Sequence, residues 1–278
     1  MHARNRAICN FDESPDCLEQ KLTISNFINL KVKSILVSQP KPETERSPYF
    51  DLGDKYKLKI DFRPFIHVEG IGAQEFRVST KANLVGHTAV ILTSRNAVDH
   101  FFRLAEEMRF TVPDSMKYFC ISEATAYYLQ KYVVYRKRKI FSGKQTFGDL
   151  MEVIKKHSKE KFLLPCSDLI KDEIPIHLNN ANINYTKAVC YRTVCSDLSD
   201  LKDIKYDMLV FFSPSGIASL FKNFPDFEQG PTRIAVFGPT TQQAALDNNL
   251  RIDVAAPMPN APSMTMAIED YVKKVNKK

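Results

Sequence analysis

Short apolar runs alternate with helical faces along almost the whole chain. Residues 34–38, 89–93, 117–121, 162–165 and 208–212 are short runs rich in aliphatic and aromatic residues, closed by polar or turn residues, which predicts buried strands. Between them the apolar spacing becomes helical. Val98, Phe101, Phe102, Ala105 and Met108 line one face after Ser94-Arg95-Asn96, and Phe147, Leu150, Met151 and Ile154 do so after Thr146. Ile217, Leu220, Phe221 and Phe224 follow Ser213-Pro214-Ser215-Gly216 in the same way. The clearest face runs through Met264, Ala267, Ile268, Tyr271, Val272 and Val275, with Ser263 as its N-cap. A short helix is expected after Ser47-Pro48, with proline in its first turn, and another opens at Ser122-Glu123-Ala124-Thr125.

Less regular stretches complete the reading. Residues 132–135 and 251–255 read as strands, and the segment up to Asn180 reads as a helix disturbed by Pro175. Residues 59–69 and 185–194 are extended; Pro64 marks the first as an edge strand or connector. At Ala235-Val236-Phe237 an apolar run stops at Gly238-Pro239, two threonines follow, and a Gln/Ala/Leu segment begins. This is strand, sharp turn and helix N-terminus, where free backbone N–H groups and a hydroxyl meet the positive end of a helix dipole.

A repeat lies within this pattern. The segment from Val90 through Thr93-Ser94-Arg95 to Phe102 matches the one from Leu209 through Phe212-Ser213-Pro214 to Phe221. Each unit leads into a strand, a turn and a helix-start threonine, Thr125 in the first and Thr241 in the second, at similar spacing. The expected fold is therefore α/β, with two similar lobes of parallel strands flanked by helices. Residues 1–31 read as a poorly ordered extension. Residues 32–60 and 195–278 form a discontinuous terminal lobe, residues 70–184 an inserted middle lobe, and residues 61–69 and 185–194 two connector strands. Ligands of such sheets bind outside the carboxyl ends of the strands, where the hydroxyl-rich turns fall.

Composition narrows the function classes. Hydrophobic residues make up 44%, and 39 Lys+Arg against 32 Asp+Glu give a net charge of +7, which suits an acidic ligand. The densest basic run, Arg136-Lys137-Arg138-Lys139, comes without a nucleic-acid-binding motif and reads as a solvated strand end or loop. The six cysteines show no CxxC pair or zinc-type spacing, and four sit in or beside apolar runs, as reduced core thiols do. No apolar run approaches the roughly 18 residues of a membrane span, and no signal-peptide core opens the chain, so a cytoplasmic protein is expected.

Nucleophile elbows, phosphate loops and dinucleotide fingerprints are absent, and the six histidines lack metal-ligand spacing. The remaining chemistry is in the turns: Thr93 and Ser94 with Arg95, Ser167 with Lys171, Ser213, Ser215 and Gly216, and Gly238 with Thr240 and Thr241. Taken together they suit a cleft that holds several carboxylates or phosphates. Tyr191, on the second extended stretch, can donate a hydrogen bond into such a cleft.

These segments resemble the uroporphyrinogen-III synthase family from about residue 33 to 275. The similarity rests on Ile91-Leu92-Thr93-Ser94-Arg95-Asn96-Ala97-Val98, Leu163-Leu164-Pro165-Cys166 with Lys171 and Pro175, Val189-Cys190-Tyr191-Arg192-Thr193, Phe211-Phe212-Ser213-Pro214-Ser215-Gly216, and Val236-Phe237-Gly238-Pro239-Thr240-Thr241, in that order. The resemblance implies a lyase of tetrapyrrole biosynthesis that converts hydroxymethylbilane to uroporphyrinogen III with inversion of the last pyrrole ring. It implies no cofactor and no metal, and a monomer acting on a small molecule without nucleic acid or membrane. By the same resemblance Tyr191 and Thr241 are the catalytic positions and the other turn residues bind substrate. Ile121-Ser122-Glu123 departs from the family pattern. The rival reading is a non-catalytic two-lobe binder of an anionic ligand.

Overall fold

The computed structural model describes residues 30–44, 46–79, 84–170, 172–202 and 204–277, so the expected N-terminal extension falls outside them except at its last two residues. The strands among them are β1 (Ser34–Val37), β2 (Lys59–Phe62), β3 (Ile66–Gly70), β4 (Ala89–Leu92), β5 (Lys117–Cys120), β6 (Ile140–Ser142), β7 (Phe162–Ser167), β8 (Tyr185–Cys195), β9 (Met208–Phe211), β10 (Arg233–Phe237) and β11 (Ile252–Ala256). They form two sheets, in the orders β11-β10-β9-β1-β2 and β3-β8-β7-β4-β5-β6. Every pairing in the first sheet is parallel, and so are β8-β7, β7-β4, β4-β5 and β5-β6 in the second. The chain divides into two compact units, one up to Ile66 and again from Cys195, the other His67–Val194.

Strand alternation builds two apolar layers in each unit. In the unit that contains both chain ends, Ile35, Val37, Met208 and Val210 pack on one side of the sheet with Leu52, Ile268 and Val272. Leu36, Leu209 and Phe211 pack on the other with Ile217, Leu220 and Ala245. In the second unit Val90, Leu92, Tyr118 and Cys120 meet Val98, Phe101 and Leu104, whereas Ala89, Ile91 and Phe119 meet Phe147, Leu150 and Ile154. Near-continuous apolar strands with helices on both faces are what parallel sheets require.

Three details differ from the sequence reading. Residues 132–135 are not a strand; the pairing partner of β5 is β6, which begins only at Ile140. Val134 and Tyr135 are exposed, so this β-prone run lacks the burial that would make it a strand. Pro175 sits inside the regular Glu173–Asn180 helix. It is the third residue, where the missing N–H would have had no intrahelical acceptor. The last strand of the first sheet lies one residue later than expected, at Ile252–Ala256.

The closing helix, Met264–Asn276, is fixed to the Pro48–Tyr56 helix by Glu269, which accepts from Lys55 Nζ at 2.8 Å and Tyr56 Oη at 2.9 Å. Hydrogen bonds from Lys55, Tyr56 and Lys273 bring its carboxyl from the ordinary 4.5 down to about 2. The unfolded chain binds the proton first, so this contribution is complete above pH 4.5 and is lost as pH falls towards 2. The difference in unfolding free energy between wild type and Glu269→Gln should be constant at neutral pH and shrink across that window. A pH series of denaturant titrations measures it.

No helix among the described residues is long and apolar enough to cross a membrane.

Candidate functional site

In the second unit strand order changes direction at β4, which has β5 on one side and β7 on the other. The carboxyl ends of such neighbours diverge and leave a crevice. At the end of β4, Thr93 is half-buried and Ser94 N-caps the Arg95–Glu107 helix, its Oγ accepting from the Ala97 N–H at 3.0 Å. At the end of β7, Ser167 Oγ donates to Asp168 Oδ1 at 2.6 Å. The backbone N–H of Asp168 donates to the Tyr191 carbonyl at 3.1 Å, and the Thr193 N–H donates to Asp168 Oδ1 at 3.2 Å. These bonds fix the β7 turn to β8 at the Tyr191 carbonyl and two residues beyond it.

Tyr191 is 8% exposed, and its hydroxyl lies 3.4 Å from Ser94 Oγ. Ser94 Oγ already accepts from Ala97, so its own hydrogen is free to point at the phenol oxygen. Burial raises the phenol pKa above its ordinary 10, opposed by the Ser94 hydrogen bond and assisted by Cys166, Cys190 and Asp168. Tyr191 is therefore protonated at neutral pH and has a hydrogen to donate. Burial would also push the Asp168 carboxyl up, but hydrogen bonds from Ser167, Thr193 and Leu169 hold it below the usual range. Asp168 thus remains an acceptor that orders the turn.

The structure brings Ser94, Ser167 and Tyr191 to one end of one sheet, with Thr93 beside them. Arg95 is exposed and its guanidinium lies over the Tyr128 ring, 5.3 Å from the centroid. Lys171 lies outside the described residues. Glu123 is exposed as the first residue of the Glu123–Tyr128 helix, where a carboxylate complements the dipole. Sequence reasoning missed His100 at this site. It stacks on Tyr191 with ring centroids 4.9 Å apart and planes 22° apart. A histidine six residues after the capping serine carries no signal until β8 is placed beside the helix.

The other unit repeats the arrangement at its own reversal, where β1 lies between β2 and β9. Ser213 caps the Pro214–Asn223 helix, its Oγ accepting from the Gly216 N–H at 3.2 Å, as Ser94 does for Ala97. A Cβ at Gly216 would lie 3.6 Å from Ser213 Oγ and 3.8 Å from Ser38 Oγ, so Gly216 joins the ends of β1 and β9. Ser38, which the sequence placed only as a strand end, therefore belongs to this turn. Ser215 is half-buried beside it.

In the last turn the helix begins before the threonines. Gly238 is the N-cap of the Pro239–Asp247 helix, with φ 84° and ψ 154°, a conformation open essentially only to glycine. No side chain caps this helix. Thr240 is exposed at the second position, and Thr241, 1% exposed, occupies the third. Pro239 at the first position fixes the start of the helix and displaces the threonines inward. Thr125 occupies the same third position in the other unit and is also buried, but its helix is capped by Ser122.

Among the described residues, no group of three or more His, Cys, Asp or Glu side chains is placed to hold a metal ion.

Parallel α/β units with hydroxyl-bearing turns at the carboxyl ends of their strands define a protein of the class that binds small molecules at sheet ends. The chain belongs to the family described as uroporphyrinogen-III synthase HemD, whose sequence pattern matches residues 54–266. It is 30% identical over 139 residues to the uroporphyrinogen-III synthase of Saccharomyces cerevisiae, a match that covers 44% of this chain and 50% of that protein. The chain thus spans about half the length of this curated relative. Its fold is similar to that of uroporphyrinogen-III synthetase from Helicobacter pylori, at TM-score 0.55 and 18% identity over 87% of this chain and 99% of that one. A mutant uroporphyrinogen III synthase from Thermus thermophilus matches with TM-score 0.51 and 12% identity over the same shares.

Proposed function

We infer that the chain is a uroporphyrinogen-III synthase, a lyase that cyclises hydroxymethylbilane to uroporphyrinogen III and inverts the last pyrrole ring without a cofactor. The observation that carries this reading is the buried, protonated Tyr191 hydroxyl beside Ser94 in a chain of this family. Tyr191 donates its proton to the departing hydroxyl, which leaves as water when the C–O bond breaks. The last pyrrole attacks the electrophilic azafulvene that remains through its already substituted α-carbon, giving a spiro-pyrrolenine. The bond from that carbon to its original bridging methylene then breaks, leaving a second azafulvene that the free α-carbon of the same pyrrole attacks. Closure restores the aromatic rings, and the proton released then returns to the phenolate.

The spontaneous reaction closes the ring without inversion, so the enzyme's task is to hold a flexible polycarboxylate in the inverting geometry. In this reading the acetate and propionate arms are gripped by the uncapped N–H groups of Thr240 and Thr241 and by the turns of Thr93, Ser94, Ser167, Ser213, Ser215 and Gly216. Arg95 and Lys171 supply charge. Residues 32–60 with 195–278 act as the terminal lobe and residues 70–184 as the inserted one, linked by residues 61–69 and 185–194. The protein acts as a cytoplasmic monomer.

The cofactor-free part has its own test. Protein dialysed against a chelator and stripped of small molecules should consume freshly generated hydroxymethylbilane at the untreated rate. Loss of the rate, restored by an added metal or organic group, would contradict it.

A further inference from the structure

We propose that His100 is a positioning residue for Tyr191, holding the phenol ring by face-to-face stacking while Arg103 fixes the imidazole. The inference rests on the reading of Tyr191 as the proton donor.

Both rings are held from behind. Arg103 Nε donates to His100 Nδ1 at 3.2 Å. Arginine has no acceptor, so Nδ1 must carry the lone pair, and the neutral imidazole has its hydrogen on Nε2. Burial, followed by the Arg103 charge, lowers the His100 pKa below its ordinary 6.5, with Asp99 opposing. The ring that faces Tyr191 is thus an uncharged plane of fixed tautomer.

Arg103 is itself over-determined. Its Nη2 donates to the carbonyls of Ile71 at 2.8 Å and Cys190 at 3.2 Å, and its Nη1 pairs with Glu107 at 2.5 Å. A Cβ at Gly70 would lie only 2.7 Å from Arg103 Cζ, so glycine leaves the room this guanidinium occupies. Cys190 is the residue before Tyr191. Arg103 therefore grips the backbone of β8 beside the tyrosine and, through His100, the tyrosine ring itself. Ser94, at the start of the same Arg95–Glu107 helix, meets the hydroxyl. One helix sets the ring plane and seats the phenol oxygen, the two quantities that place a proton donor.

The test compares His100→Ala, His100→Phe and Tyr191→Phe for kcat, KM and the Tyr191 signal in protein labelled with ring-13C tyrosine, assigned by its loss in Tyr191→Phe. His100→Ala should lower kcat about tenfold or more, the scale of a misplaced reacting group, with KM within about twofold. It should also move the Tyr191 resonance out of its ring-current-shifted position. His100→Phe, which restores a stacking plane, should recover most of kcat and keep a shifted resonance. His100→Ala with unchanged kcat and an unmoved resonance would overturn the inference. If Tyr191→Phe leaves turnover intact, the proton-donor reading fails instead, and the resonance alone then decides whether His100 sets the tyrosine ring.

Discussion

Tyr191→Phe should lower kcat about 10²- to 10⁴-fold, the range for removal of a positioned general acid, while leaving the fold almost untouched. The substitution deletes one oxygen, which contacts Ser94 Oγ at 3.4 Å. Ser94 keeps its Ala97 cap, and the ring keeps its stack on His100. A hydrogen bond of that length contributes about 1 kcal/mol or less to stability. Steady-state kinetics beside thermal unfolding separate the two effects. A kcat loss matched by a Tm fall of many degrees would reassign Tyr191 to packing.

Gly143→Ala should have the largest effect on stability. Gly143 is buried after β6, with its N–H donating to the Cys120 carbonyl at 3.0 Å. A Cβ there would lie 2.9 Å from the Ile121 carbonyl oxygen, 2.9 Å from Leu150 N and 3.1 Å from Leu150 Cα. All three are backbone atoms, so no side-chain rotation relieves the overlap. The Phe147–Ile154 helix, held at its start by the Thr146–Asp149 capping box, must move off the sheet and carry Leu150, Met151 and Ile154 with it. Overpacking of this kind costs about 3 kcal/mol, at the upper end of the usual range, which lowers Tm by roughly 10 °C. Calorimetry of the variant reads this directly; an unchanged Tm would show that the helix seats differently.

Strand positions were legible because a parallel sheet buried on both faces needs apolar runs, and the 89–92 and 208–211 runs are unbroken. The serine caps were legible for a similar local reason: Ser94 and Ser213 stand where the apolar run ends and a helical face begins. What the sequence concealed depends on contacts between distant segments. His100 becomes part of the site only when β8 lies beside its helix, and Gly143 becomes critical only through the approach of Leu150. The Gly238 cap was concealed by its neighbours, since two threonines in a turn look like caps until Pro239 fixes where the helix begins. Residues 132–135 mislead because β-propensity describes how a residue fits a half-buried surface: Tyr132 and Val133 pack against the core, but Val134 and Tyr135 are exposed.

Ring closure with inversion, the activity proposed for this chain, is tested by the isomer composition formed when purified protein meets freshly generated hydroxymethylbilane. Uroporphyrinogen III should be the main product, with Tyr191→Phe shifting it towards the spontaneous type I isomer. Type I product alone from the wild-type protein would contradict it.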